Sequence, residues 1–152
     1  MWQRIQTLWL LFVGVLMSVF AFLDLAVFTL PTGQYYLLDN WSIHSTMDGS
    51  TVMPAWATGA LSILVAVSAL GLIFLYKRRM LQMRLTILTL LVVIGQLCYI
   101  AWISWQFTSE TGASFAVRFP LALPLICLPL LYLAARRMIY DETLIRASNR
   151  LR

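Results

Sequence analysis

Charge is what this chain has least of. Aspartate and glutamate together number 6 among 152 residues, and charged residues make up 11% against a hydrophobic share of 61%. That leaves too little polar surface to clothe a water-soluble globule. A single histidine, His44, stands among scattered acids without the mutual spacing that acid–base catalysis or a metal constellation requires. The two cysteines, Cys98 and Cys127, fall inside apolar stretches, where a thiol is a small apolar filler; neither points to a disulfide or to redox chemistry. There is no internal repeat, no Gly/Ser-rich linker and no low-complexity tract. There is likewise no inverted repeat of paired broken helices of the kind that marks many secondary transporters.

Long apolar runs are what the chain has instead. Four of them, at 8–30, 55–76, 85–107 and 116–135, each reach about 30 Å as a helix, the thickness of a bilayer's hydrocarbon core. They predict an all-α membrane protein, a bundle of four transmembrane helices forming one domain over 1–152. Nearly all basic residues fall on one side of these runs: Arg4, Lys77, Arg78, Arg79, Arg84, Arg136, Arg137, Arg146, Arg150 and Arg152. By the positive-inside rule that side is the cytoplasm, which puts 31–54 and 108–115 outside. The same distribution turns the net charge of +5 toward a membrane surface and away from nucleic acid. The first run is about twice the length of a signal-peptide core, and Val27-Phe28-Thr29-Leu30-Pro31 offers no Ala-x-Ala cleavage pattern, so it is expected to be a permanent anchor.

The outer segment 31–54 has partial strand character around Asp39-Asn40, with a second turn signal at Asp48-Gly49, and predicts a short hairpin or two to three short strands over the bundle. Asp39, His44 and Asp48 could in principle bind a metal; ordinary solvated polarity is the expected reading, and no cofactor is expected. Asn40-Trp41-Ser42 fits the glycosylation acceptor pattern, which matters only in an endoplasmic reticulum lumen. The segment holds no cysteine, unlike the disulfide-stapled outer loops of four-span junction proteins and tetraspanins.

Within the runs, Asp24 is the residue that most invites a functional reading, because intramembrane acids often mark ion or proton paths. It lies about 9 Å from the outer end of its predicted helix, and Arg118, the one basic residue on that side, starts the fourth run at a similar level. A structural pair or simple solvation is the expected reading, with proton or ion transfer as the alternative. Gln96, Tyr99, Ser104 and Gln106 supply the third run's polar groups, expected to bond across helices for about 0.6 kcal/mol each. Small residues at four-residue spacing (Gly14 and Ser18, Ala55 and Gly59, Ser62 and Ala66) allow close backbone approach. Pro120, Pro124 and Pro129 predict a bend in the fourth helix.

The tail 136–152 reads as an amphipathic helix with Leu144, Ala147 and Leu151 on one stripe, acids first and arginines last. Arg4, Lys77, Arg78, Arg79, Arg136, Arg137, Leu144, Arg146, Arg150 and Leu151 are the candidate contacts for anionic lipid or a partner. Met1-Trp2-Gln3-Arg4-Ile5-Gln6-Thr7 leading straight into an apolar run, with Asp141-Glu142-Thr143-Leu144-Ile145-Arg146-Ala147-Ser148-Asn149-Arg150-Leu151-Arg152 at the end, resembles a family of small four-span proteins of the Bacteroidota, domain of unknown function 4293. Trp2 stands where that family more usually has an aliphatic residue. The resemblance implies a multi-pass protein of a bacterial inner membrane with a periplasmic outer loop. It implies no activity and no catalytic residues.

Two functions are compatible with these features. One is a non-enzymatic accessory or assembly subunit of a larger membrane complex, concerned with export or the envelope, with lipid and other integral membrane proteins as partners. The other is small-molecule or lipid binding or transport through a polar pocket around Asp24, Gln96 and Tyr99.

Overall fold

A computed structural model describes residues 3–75 and 78–150. Four α-helices and a five-stranded antiparallel sheet alternate along the chain as α1 (Gln3–Phe20), β1 (Ala26–Thr29), β2 (Tyr35–Leu38), β3 (Ser42–Ser45), β4 (Thr51–Pro54), α2 (Trp56–Phe74), α3 (Arg79–Thr111), β5 (Ser114–Val117) and α4 (Ala122–Arg150). The expected all-α bundle of four transmembrane helices is therefore wrong. Three helices are long and apolar enough to cross a membrane, in Trp56–Phe74, Met80–Thr111 and Phe119–Asp141; the apolar part of α1, Gln6–Phe20, is shorter.

The error lies in two of the runs. The stretch at 8–30 is a helix only as far as Phe20, after which Ala26-Val27-Phe28-Thr29 forms a strand. β-branched and aromatic residues favour the pleated conformation, and the alternation of buried Ala26 and Phe28 with half-buried Val27 and Thr29 has period two. Mean hydropathy cannot separate a lipid-facing helix from a buried strand, because both are apolar. The run at 116–135 likewise begins inside β5, passes through a 3₁₀ turn at Phe119–Leu121 and becomes helical at Ala122. Pro120 lies in that turn and Pro124 in the first turn of α4, where no backbone donor is needed; Pro129 alone lies deeper within the helix. α4 runs on to Arg150, so the expected separate tail is its continuation.

The strand order is β4-β3-β2-β1-β5, all neighbours antiparallel. The segment expected to hold a hairpin thus supplies three strands, and the two mispredicted runs supply the other two. Gly112, at a φ of 64°, takes the left-handed position that closes α3, donating its N–H to the Thr108 carbonyl, and turns the chain into β5.

The helices pack as a ring, α1 against α2 and α4, and α3 against α2 and α4. The sheet joins the ring where α1 and α3 end and α2 and α4 begin. Its buried side, Phe28, Leu38 and Ile43, forms one core with Phe107 of α3; Phe28 and Phe107 lie 4.7 Å apart between ring centroids. On α1, Leu10, Val13, Met17 and Phe20 are fully buried at helical spacing. The opposite faces are apolar as well: Leu8, Phe12 and Val15 of α1, Leu64 and Val67 of α2, Leu88 and Leu91 of α3, and Leu125 of α4 are all exposed.

Candidate functional site

Where the sheet meets the helices, buried polar groups form a seam. The side chain of Asn40, in the turn between β2 and β3, is fully buried and donates to the carbonyl of Phe20, the last residue of α1. It thereby helps to satisfy the carbonyls that a helix end leaves without partners. The single hydroxyl proton of Ser62 in α2 is shared between the Thr58 carbonyl (2.7 Å) and Asn40 Oδ1 (3.2 Å), and Gln96 of α3 donates from Nε2 to Ser62 Oγ at 2.7 Å. Three helices and the sheet meet in this chain of bonds.

The turn is seated on α2 by glycine. Gly59 N–H donates to the Asn40 carbonyl at 2.7 Å, and a Cβ at position 59 would lie 2.9 Å from the Trp41 ring and 3.0 Å from the Asn40 carbonyl oxygen. The small-residue spacing in α2 therefore admits the β2–β3 turn at Gly59. Burial of the Asn40 amide also removes it from any glycosylating enzyme's reach while the protein is folded. Asp39 closes the same turn by accepting the Trp41 and Ser42 N–H groups, both at 2.6 Å, and its other oxygen lies 3.4 Å from His44 Nδ1. Among the described residues, no group of three or more His, Cys, Asp or Glu side chains comes together.

Asp24 and Arg118, 94 positions apart in the chain, form an ion pair: Arg118 Nη1 donates to Asp24 Oδ2 at 3.0 Å. Both side chains are more than two-fifths exposed, so the pair fastens the end of β5 to the link between α1 and β1 on the surface. Beside it, β5 is an edge of the sheet with all four residues exposed. Below β5 lies a hollow of about 470 Å³ walled by Leu97, Ile100, Ser104, Trp105, Phe115 and Leu121. Ser104 is 6% exposed and its hydroxyl has no hydrogen-bond partner.

Residues 2–151 match the model of the family described as Domain of unknown function (DUF4293). The chain belongs to that family. No curated protein matches it, and no solved structure does. The DUF4293 assignment agrees with the resemblance seen at the two ends of the sequence and carries no chemistry with it.

In this DUF4293 chain the residues singled out from sequence are dispersed. Asp24 and Arg118 are together at the surface, Gln96 is buried in the seam, and Tyr99 is half-buried with its ring 6.0 Å from Trp102. None of Asp24, Gln96 and Tyr99 lines the hollow below β5. At the opposite end, Arg136 and Arg137 are exposed and share a second hollow with Trp9, Leu133 and Tyr140. Arg78 and Leu144 are exposed outside that hollow. Lys77 and Leu151 lie outside the described residues, as do the side chains of Arg4, Arg79, Arg146 and Arg150. Sequence reasoning missed Thr58 and Ser62 as partners of Gln96, Asn40 as the partner of Ser62, and the β5 edge altogether; the one available signal for β5 was Ser-Phe-Ala-Val two residues after a glycine.

Proposed function

We propose that this is a multi-pass inner-membrane protein acting as a non-enzymatic accessory or assembly subunit of a larger membrane complex, and that it receives its partner along β5. Membrane embedding is supported by helices whose outer as well as inner faces are apolar, a pattern that water does not tolerate on this scale. Trp56, Trp102 and Trp105 are exposed in the parts of α2 and α3 nearer the sheet, where amphipathic indole rings favour the headgroup level. The sheet, with Arg118 beside it, then lies outside the hydrocarbon on the side opposite Arg78, Arg84, Arg136 and Arg137.

The observation that carries the partner reading is the difference between the two sheet edges. β4 ends in Pro54, which has no N–H to offer, and its pairing with β3 is interrupted by a register shift at Ile43/His44; both devices blunt an edge. β5 has neither proline nor charge, and its unpaired backbone groups stand above the hollow next to Phe115 and Trp105. An extended segment of another protein can add to such an edge, with main-chain bonds giving affinity and the hollow accepting an apolar side chain.

The test is a photo-crosslinking side chain placed at Val117, with the protein extracted in mild detergent. The proposal expects one stoichiometric membrane partner crosslinked from Val117, lost when Phe115, whose N–H faces away from β1, becomes proline, and absent when the crosslinker stands instead at Val52 on the β4 edge. Recovery of the protein alone from both positions, with crosslinks only to lipid, contradicts it.

A further inference from the structure

The geometry points to a binding site for the phosphate of an anionic phospholipid, at the end of the helices remote from the sheet. A hollow of about 430 Å³ there is lined by Trp9 of α1 and by Leu133, Arg136, Arg137 and Tyr140 of α4. The volume falls within the ~300–1,000 Å³ of ordinary small-ligand sites. Its lining changes character across one helical turn: Leu133 ends an apolar stretch, and Arg136 and Arg137 follow. An apolar floor, two guanidinium groups and two aromatic rings with polar tips match an amphiphile that carries a negative head above an acyl chain. A guanidinium fork meets phosphate oxygens in pairs, and Trp and Tyr rings settle at the level of lipid glycerol and headgroup.

Asp141, next to Tyr140 in α4, accepts a hydrogen bond from Gln6 Nε2 at 3.0 Å, which ties α1 to α4 directly beside the hollow and holds that carboxylate in a bond of its own. Arg137 has an interaction of its own, so the phosphate contact is assigned to Arg136. Exposed Leu125 and Ile126 continue the apolar surface of α4 away from Arg136, toward the sheet end. A soluble phosphate would gain nothing from Leu133 or from that surface, whereas a lipid tail would.

This site goes beyond the partner role and rests on the same membrane placement, so the experiment separates the two. The full chain is reconstituted into phosphatidylcholine vesicles with and without a minority of phosphatidylglycerol, and lipid carried through mild detergent extraction is counted by native mass spectrometry. The expected result is insertion into both vesicle types, with phosphatidylglycerol retained over phosphatidylcholine. Arg136→Gln lowers that preference roughly fivefold, as does Tyr140→Leu in part, while Arg84→Gln on α3 leaves it unchanged. Equal losses in Arg136→Gln and Arg84→Gln mean general surface attraction and overturn the pocket. Displacement of the retained lipid by inorganic phosphate overturns the lipid assignment in favour of a free-phosphate site. Insertion without any headgroup preference overturns the site and leaves the membrane placement standing; failure to insert into either vesicle overturns both.

Discussion

The sheet end and the arginine end of this helical ring are joined in opposite ways. At the sheet end a continuous seam runs from the Phe20 carbonyl through Asn40 and Ser62 to Gln96, and Gly59 admits the turn that carries Asn40. At the arginine end the cross-links seen among the described residues are single ties: Gln82 donates to the Leu72 carbonyl at 2.9 Å, Thr86 to Met138 Sδ at 3.7 Å, and Gln6 to Asp141 at 3.0 Å. One end is interlocked, and damage at one of its members is felt by three helices. The other is a set of independent ties beneath a cationic surface. A fold of this kind can hold a rigid platform on one side of a membrane while the opposite side answers to lipid.

The contrast can be broken by substitution, and the largest effect belongs at Gly59. Gly59→Val places side-chain carbons against the Trp41 ring and the Asn40 carbonyl, which is backbone and cannot step aside; about 3 kcal/mol of stability should be lost in a detergent unfolding titration. Asn40→Ala removes a buried donor from the end of α1 and an acceptor from Ser62, and a loss of about 2 kcal/mol is expected by the same titration. Loss of less than half that from either change would mean that the seam is not what holds the sheet.

Gln96→Leu sharpens the comparison from within the seam. Gln96 Oε1 has no partner, and Ser62 keeps its bonds to Asn40 and Thr58 when Gln96 is gone, so an apolar residue of similar size should change stability by no more than about 1 kcal/mol. A large loss would place the seam's centre on α3 instead of Asn40. Asp24→Asn should do least, about 0.5 kcal/mol or below, and less at high salt, because the pair with Arg118 is open to solvent.

The parts of this architecture that could be read in sequence are those where one property decides. α2 and the apolar body of α3 stand out because a long uninterrupted apolar run between polar ends has few other fates. Asp24 and Arg118 could be considered as a pair because Arg118 is the one basic residue on its side of the runs. β1 and β5 were hidden because three apolar residues and one hydroxyl residue, next to a helix of similar hydropathy, carry no signature beyond their β-branched and aromatic content. Asn40 was hidden for a different reason. Its sequence neighbours suggest a solvent-facing turn, and only tertiary packing turns its amide inward to α1.

The account stands on the sheet and the helix ends that carry Arg84, Arg136 and Arg137 lying on opposite sides of a bilayer, and cysteine accessibility in intact cells measures this directly. With Cys98 and Cys127 replaced by alanine, a cysteine is introduced at Asp48, in the turn between β3 and β4, or at Arg84 of α3, and the cells are treated with a membrane-impermeant maleimide. Labelling of the Asp48→Cys protein once the periplasm is opened, with Arg84→Cys labelled only after the inner membrane is breached, is the predicted result. Labelling of both positions at the same stage, or release of the protein from membranes by alkaline carbonate, would contradict it.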